Sequence, residues 1–146
     1  MMKILHTGIT VKDIEAAVLF YRDILGLKLV VSPTEPAEGV ELSKGVGVPG
    51  ARLRQAILES GDYSIELFEY QNPPAEIERP LPANNPGPGH VAFEVADIEA
   101  EYQRMKELGV EFFTEPNFIA EGPLAGWKWV YFSDPEGTTL ELVEKG

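Results

Sequence analysis

The sequence has no cysteine among its 146 residues, so disulfides and thiolate chemistry are both excluded. Basic residues are scarce: 12 Lys and Arg stand against 24 Asp and Glu, a net charge of −12. A chain this acidic is a poor partner for nucleic acid or an anionic membrane surface, since phosphate recognition needs clustered cations. No apolar run approaches the roughly 20 residues of a membrane span. The opening Met1-Met2-Lys3-Ile4 leads straight into a strand pattern without the apolar core of a signal peptide, so the expected location is the cytoplasm. Histidine is rare too. There are only two, and their positions organise everything else.

What is present is said twice. His6 opens an alternating apolar run, followed by Val11 and Asp13-Ile14-Glu15; His90 opens another, followed by Val95 and Asp97-Ile98-Glu99. Leu25-Gly26-Leu27 after the first copy matches Leu108-Gly109-Val110 after the second, and Ile65-Glu66-Leu67 matches Leu140-Glu141-Leu142. The second His follows the first by 84 residues and the second Glu by 75, so element order is kept while loops change length. An internal repeat of this kind marks a duplicated structural unit.

The length suits one compact domain. Within 1–146 the pattern predicts module one at 1–70, a Pro-rich linker at 71–88 containing Pro73, Pro74, Pro80, Pro82, Pro86 and Pro88, and module two at 89–146. In module one, 3–11 reads as a strand with Leu5, Ile9 and Val11 on one face and His6, Gly8 and Thr10 on the other. Asp13 caps a helix carrying Ile14, Ala17, Val18, Tyr21 and Leu25, with Gly26 as its stop. Lys28–Val31, 51–59 and 63–70 follow as strands, and the Pro-, Gly- and Glu-rich 32–50 reads as one long loop. In module two, Val91, Phe93 and Val95 oppose His90, Ala92 and Glu94. A helix runs from Asp97 to Gly109, Glu111–Thr114 and Trp127–Phe132 read as strands around a loop at 115–126, and Asp134–Gly137 turns the chain into a last strand at 138–143. Each half is therefore β-α-β-β-β, an α+β arrangement rather than a doubly wound parallel sheet.

A lone strand histidine is usually structural, and a glutamate between apolar neighbours faces water or a cavity that must compensate its charge. Jointly the four residues say more. Each half supplies one early His and one late Glu, and two His with two Glu suit an octahedral cation with two positions left for water or substrate. Glu69 and Glu144, on the opposite strand parity, read as solvent-facing.

These motifs resemble the vicinal oxygen chelate superfamily, which includes glyoxalase I, methylmalonyl-CoA epimerase, extradiol dioxygenases and bleomycin-resistance proteins. The resemblance rests on His6 with Asp13-Ile14 and Phe20-Tyr21-Arg22-Asp23-Ile24-Leu25-Gly26, on Ile65-Glu66-Leu67, on Gly89-His90-Val91-Ala92-Phe93-Glu94-Val95, and on Asp134-Pro135-Glu136-Gly137 before Leu140-Glu141-Leu142. It implies two tandem βαβββ modules whose mixed, partly open sheet curls around one divalent ion (Ni, Co, Mn, Zn or Fe), with His6, Glu66, His90 and Glu141 as ligands. A short chain of two modules is expected to form a homodimer, with the site within one chain or between two, and the chelating ion implies a small substrate bearing two neighbouring oxygens.

Superfamily membership leaves the reaction open. Glutamate at position 66 favours a metal-dependent isomerase, lyase or epimerase, in which Glu66 and Glu141 remove and return a proton beside a chelated carbonyl. An iron(II) ring-cleaving dioxygenase needs only His6, His90 and Glu141, and a non-catalytic binding or resistance protein needs none of the four. Thr10 stands where bacterial glyoxalase I resembles an Arg that holds the glutathione carboxylate, while Gly122-Pro123-Leu124-Ala125-Gly126 resembles that enzyme's late loop. Phe68, Trp127, Trp129 and Arg54 are the candidate substrate-binding residues.

Overall fold

The protein is described by a computed structural model covering residues 1–77, 81–87 and 89–146. The chain forms two compact units, residues 1–78 and 79–146. Of the predicted linker, Pro80 and Pro88 lie outside the described residues.

Unit one runs β1 (His6–Thr10), α1 (Ile14–Leu19), β2 (Lys28–Val31), β3 (Ala37–Glu38), α2 (Val40–Val46), β4 (Arg52–Ser60) and β5 (Tyr63–Asn72). Its sheet has the order β1-β5-β4-β2, with β3 on β4. The first strand pairs parallel with the last, while β5–β4 and β4–β2 are antiparallel. Asp13 takes an extended conformation and accepts a hydrogen bond from the Ala16 backbone N–H at 2.9 Å, which starts α1. Beyond Leu19 the chain widens into a π-helical turn, Phe20–Ile24, that places Phe20 and Tyr21 in the core. Gly26, at φ 76°, makes the left-handed exit that a side chain would oppose. Ile14, Ala17 and Val18 bury their side chains, as do Ala56, Leu58, Ile65 and Leu67 of the sheet beneath. Each large aliphatic among them contributes roughly 1.5–3 kcal/mol by leaving water.

Unit two repeats this plan with β6 (Val91–Glu94), α3 (Ile98–Glu107), β7 (Asn117–Phe118), β8 (Lys128–Ser133) and β9 (Thr139–Glu144) in the order β6-β9-β8-β7. Again the first strand pairs parallel with the last and β8–β9 is antiparallel. Asp97 caps α3 through the Ala100 N–H at 3.0 Å, and Gly109 has φ 86° after its end. Ile98 and Met105 join Val130, Phe132, Leu140 and Leu142 in the core.

The architecture is mixed α+β, as expected, and three local expectations change. Residues 32–50 are not one loop, because β3 and α2 lie within them. That helix has seven residues, none buried, and an interior Gly45, so it carries no apolar periodicity to read. Ser43 Oγ, accepting from the Ala51 N–H at 3.1 Å, ties it to the start of β4. Residues 111–114 form no strand either. Phe112 makes a single antiparallel bridge to Phe132, and the extended pairing with β8 comes later at β7. Pro116, which has no N–H to donate, separates the two. Finally, Gln71 and Asn72 belong to β5 rather than to the linker.

Candidate functional site

Strand alternation gives each sheet two faces. Ile65 and Leu67 of β5 and their partners Leu58 and Ala56 lie under α1. Glu66 and Phe68, with partners Ile57 and Gln55, point the other way. Gly8 of β1 is the register partner of Glu66, two residues from His6, and a Cβ there would stand 3.3 Å from the Phe68 ring. The absent side chain therefore lets Phe68 lie over the strand beside the histidine.

Parallel closure of β1 on β5 brings His6 Nε2 to 3.2 Å from Glu66 Oε2. The same closure of β6 on β9 brings His90 Nε2 to 3.0 Å from Glu141 Oε2. The exposures match as closely: 40% and 39% for the imidazoles, 19% and 14% for the carboxylates. Two side chains 60 residues apart in unit one and 51 apart in unit two thus meet in the same geometry. Among the described residues no group of three or more His, Asp or Glu is gathered tightly enough to hold a metal ion; each unit presents a pair.

The surroundings of the pairs differ. Opposite Glu141 stands Tyr131, at the register position that Ile57 fills opposite Glu66. The Tyr131 ring centroid is 4.9 Å from that of His90, 5.3 Å from Trp129 and 6.1 Å from Phe113. Burial, and then the Glu141 charge, push the Tyr131 phenol above its ordinary value. Tyr131 is absent from the sequence-derived candidates. The hairpin could have revealed it: Asp134 accepts from the Glu136 and Thr138 N–H groups, both at 2.9 Å, which fixes the turn. Ser133 then opposes Thr139, and counting back gives Tyr131 opposite Glu141.

Trp129 joins this aromatic group. Trp127 precedes β8, with Lys145 Nζ 5.8 Å from its ring. Arg54 lies elsewhere. It pairs with Glu69 on the helix-covered face, opposite to that of Glu66. Its guanidinium donates to Glu15 at 2.6 Å and to the Thr34 carbonyl at 2.9 Å.

Glu69 and Glu144 do not face solvent. Glu69 accepts from the Ile14 N–H at 2.9 Å and Glu144 from the Ile98 N–H at 2.7 Å, so each closes over a helix start. Each also has a cation on the neighbouring strand, Arg54 at 3.7 Å and Lys128 at 3.2 Å. The Ile98 N–H, and then Lys128, hold Glu144 below the usual carboxylate range.

Two successive units, each opening β-α-β, each closed by its own first and last strands and each with one imidazole–carboxylate pair, define a duplicated α+β protein. The chain belongs to the glyoxalase/bleomycin resistance protein/dioxygenase superfamily, whose family model matches residues 3–142. It is 38% identical over 143 residues to a 2-epi-5-epi-valiolone epimerase from Actinomyces sp., covering 94% of this chain and 76% of that protein. It is 25% identical over 146 residues to a lactoylglutathione lyase from Salmonella typhimurium, covering 98% and 93%. Among solved structures, a glyoxalase family protein from Bacillus cereus superposes with a TM-score of 0.81 at 23% identity, covering 99% and 95%, a likeness of fold. Among the described residues no helix is long and apolar enough to cross a membrane.

Proposed function

We propose that this protein is a divalent-metal-dependent isomerase, lyase or epimerase that moves a proton on the carbon beside a substrate carbonyl. The observation that carries the reading is the His–Glu pair found once in each unit with matching separation and exposure. A part-exposed imidazole–carboxylate contact adds little stability, so stability alone is a weak reason to build the same one twice.

The donor set fits a borderline divalent ion, with two imidazole nitrogens and two carboxylates. Neighbouring vertices around an octahedral ion with bonds of about 2.1 Å are about 3 Å apart, and the two pairs have separations of 3.2 and 3.0 Å. His6 and Glu66 would hold the ion from one unit, His90 and Glu141 from the other, in one chain or across a homodimer. The ion, when bound, would polarise the substrate carbonyl and offset the negative charge that develops on its oxygen. One of Glu66 and Glu141 takes the proton from the neighbouring carbon as a carboxylate. The other, as a carboxylic acid, returns one, and exchange with solvent resets both. Return to the same carbon inverts it; return to the adjacent carbon isomerises the substrate. The epimerase among the relatives favours the first outcome.

The test is elemental analysis of protein purified without chelators, beside His90→Ala/Glu141→Ala protein. The expected result is about one equivalent of Ni, Co, Mn or Zn, lost in the variant, with exchange of a substrate C–H in deuterated water. Bound iron with oxygen consumption would turn the reading toward a dioxygenase. No metal even after reconstitution would remove it and leave a small-molecule binding protein.

A further inference from the structure

We propose that Tyr131 is a positioning residue whose ring fixes the His90 imidazole, making the second His–Glu pair the rigid half of the site and the first the adjustable half. This rests on the metal-site reading above. The two units are internal controls for each other. Their pairs have nearly the same separation and exposure, but the residue opposite the glutamate is Tyr131 in one and Ile57 in the other. The Tyr131 ring lies 4.9 Å from His90 at an interplanar angle of 46°. It is itself in edge contact with Trp129, at 67°, and with the exposed Phe113, at 79°. An aromatic ring braced by two others has few orientations open to it, and it removes the same freedom from the imidazole it touches. Among the described residues no aromatic ring stacks on His6. Preset orientation of a ligand imidazole tightens its grip on an ion; hydrogen-bonded partners that set it are typically worth 10–100-fold in metal affinity, and the Tyr131 ring restricts the same freedom by contact.

The ring, rather than the phenolic hydroxyl, is the acting group, so Tyr131→Phe retains the effect and Tyr131→Ile loses it. Isoleucine suits the position because Ile57 occupies it in unit one. With only two histidines in the chain, proton NMR of metal-free protein shows two imidazole sets, assigned with His6→Gln and His90→Gln. The expected result is a His90 signal displaced by ring current in wild type and in Tyr131→Phe, moving toward the His6 position in Tyr131→Ile. Release of bound cobalt(II) to a chelator is then about tenfold faster in Tyr131→Ile and unchanged in Tyr131→Phe. A His90 signal indifferent to Tyr131→Ile, or a Phe variant as impaired as the Ile variant, overturns the proposal. Cobalt bound by wild type with an indifferent His90 signal removes the positioning role and leaves the metal reading standing. No cobalt bound, with a His90 signal that follows Tyr131, removes the metal reading and supports the ring contact.

Discussion

Glu144 accepts a hydrogen bond from the backbone N–H of Ile98 at 2.7 Å, although 46 residues separate them. The last strand of unit two is thereby fastened to the first turn of its helix. Glu69 and Ile14 do the same in unit one. Together with the capping aspartates, these glutamates satisfy donors that a helix start otherwise leaves unpaired, and their charge favours the positive end of the helix dipole.

Stability depends on the charge of Glu144. Its carboxyl is held below the ordinary value of 4.5 in the folded chain. The stabilisation is therefore complete above about pH 4.5 and is lost as pH falls through the lower folded-state value. Glu144→Gln removes this contribution, so the urea midpoint of the variant falls less between pH 6 and pH 3 than that of wild type. Equal slopes would show that the charge contributes nothing.

The caps are separable from these clasps. The Asp97 side chain accepts from the Ala100 N–H at 3.0 Å, while its carbonyl accepts from the Glu101 N–H at 3.2 Å. Asp97→Ala costs about 1 kcal/mol, whereas Asp97→Asn, which keeps an acceptor, costs much less. Urea denaturation of both variants at neutral pH measures the difference.

Packing dominates in the interior. Leu140 is fully buried between the α3 side of β9 and Phe132, its register partner. Leu140→Ala loses about 2–5 kcal/mol, while truncation of the exposed Leu124 stays within about 0.5 kcal/mol. Thermal and chemical unfolding of the two variants would show the contrast, and equal losses would mean that β9 is not a core strand.

Proton transfer is expected to need both carboxylates. Glu66→Gln and Glu141→Gln each keep an oxygen donor and lose one of the two proton carriers, so net turnover falls by about a hundredfold or more in both, and C–H exchange with solvent falls in the variant that loses the base. Metal content, measured on the same samples, separates loss of the base from loss of the ion. Full turnover in either variant would remove that glutamate from the reaction.

The repeat, the first strand of each half and the two helix caps were legible because they are local: an aspartate before an apolar 3.6-residue period, and alternation along a strand. Helix α2 was not, since a helix that buries nothing leaves no periodic trace. The roles of Glu69 and Glu144 were hidden for another reason. Parity assigns a side chain to a face, and that face was correctly the opposite of Glu66's, but the end of a helix covers it there. The partners of Arg54 follow from the same cover. The four His and Glu residues were singled out by repetition, while the pairing of each His with the Glu of its own unit at about 3 Å depends on parallel register, which no single strand encodes. Tyr131 needed the register of the β8–β9 hairpin.

Closing each sheet by pairing its first strand with its last also sets an order in time. During synthesis, β1 waits until β5 has been made, and the His6–Glu66 pair can form soon afterwards, while unit two is still incomplete. His90 must wait for Glu141, 51 residues further on. Since chains fold as they emerge, N-terminal parts first, the first donor pair has time to settle before the second can form. A chain interrupted before β9 would carry half of the donor set on a finished unit.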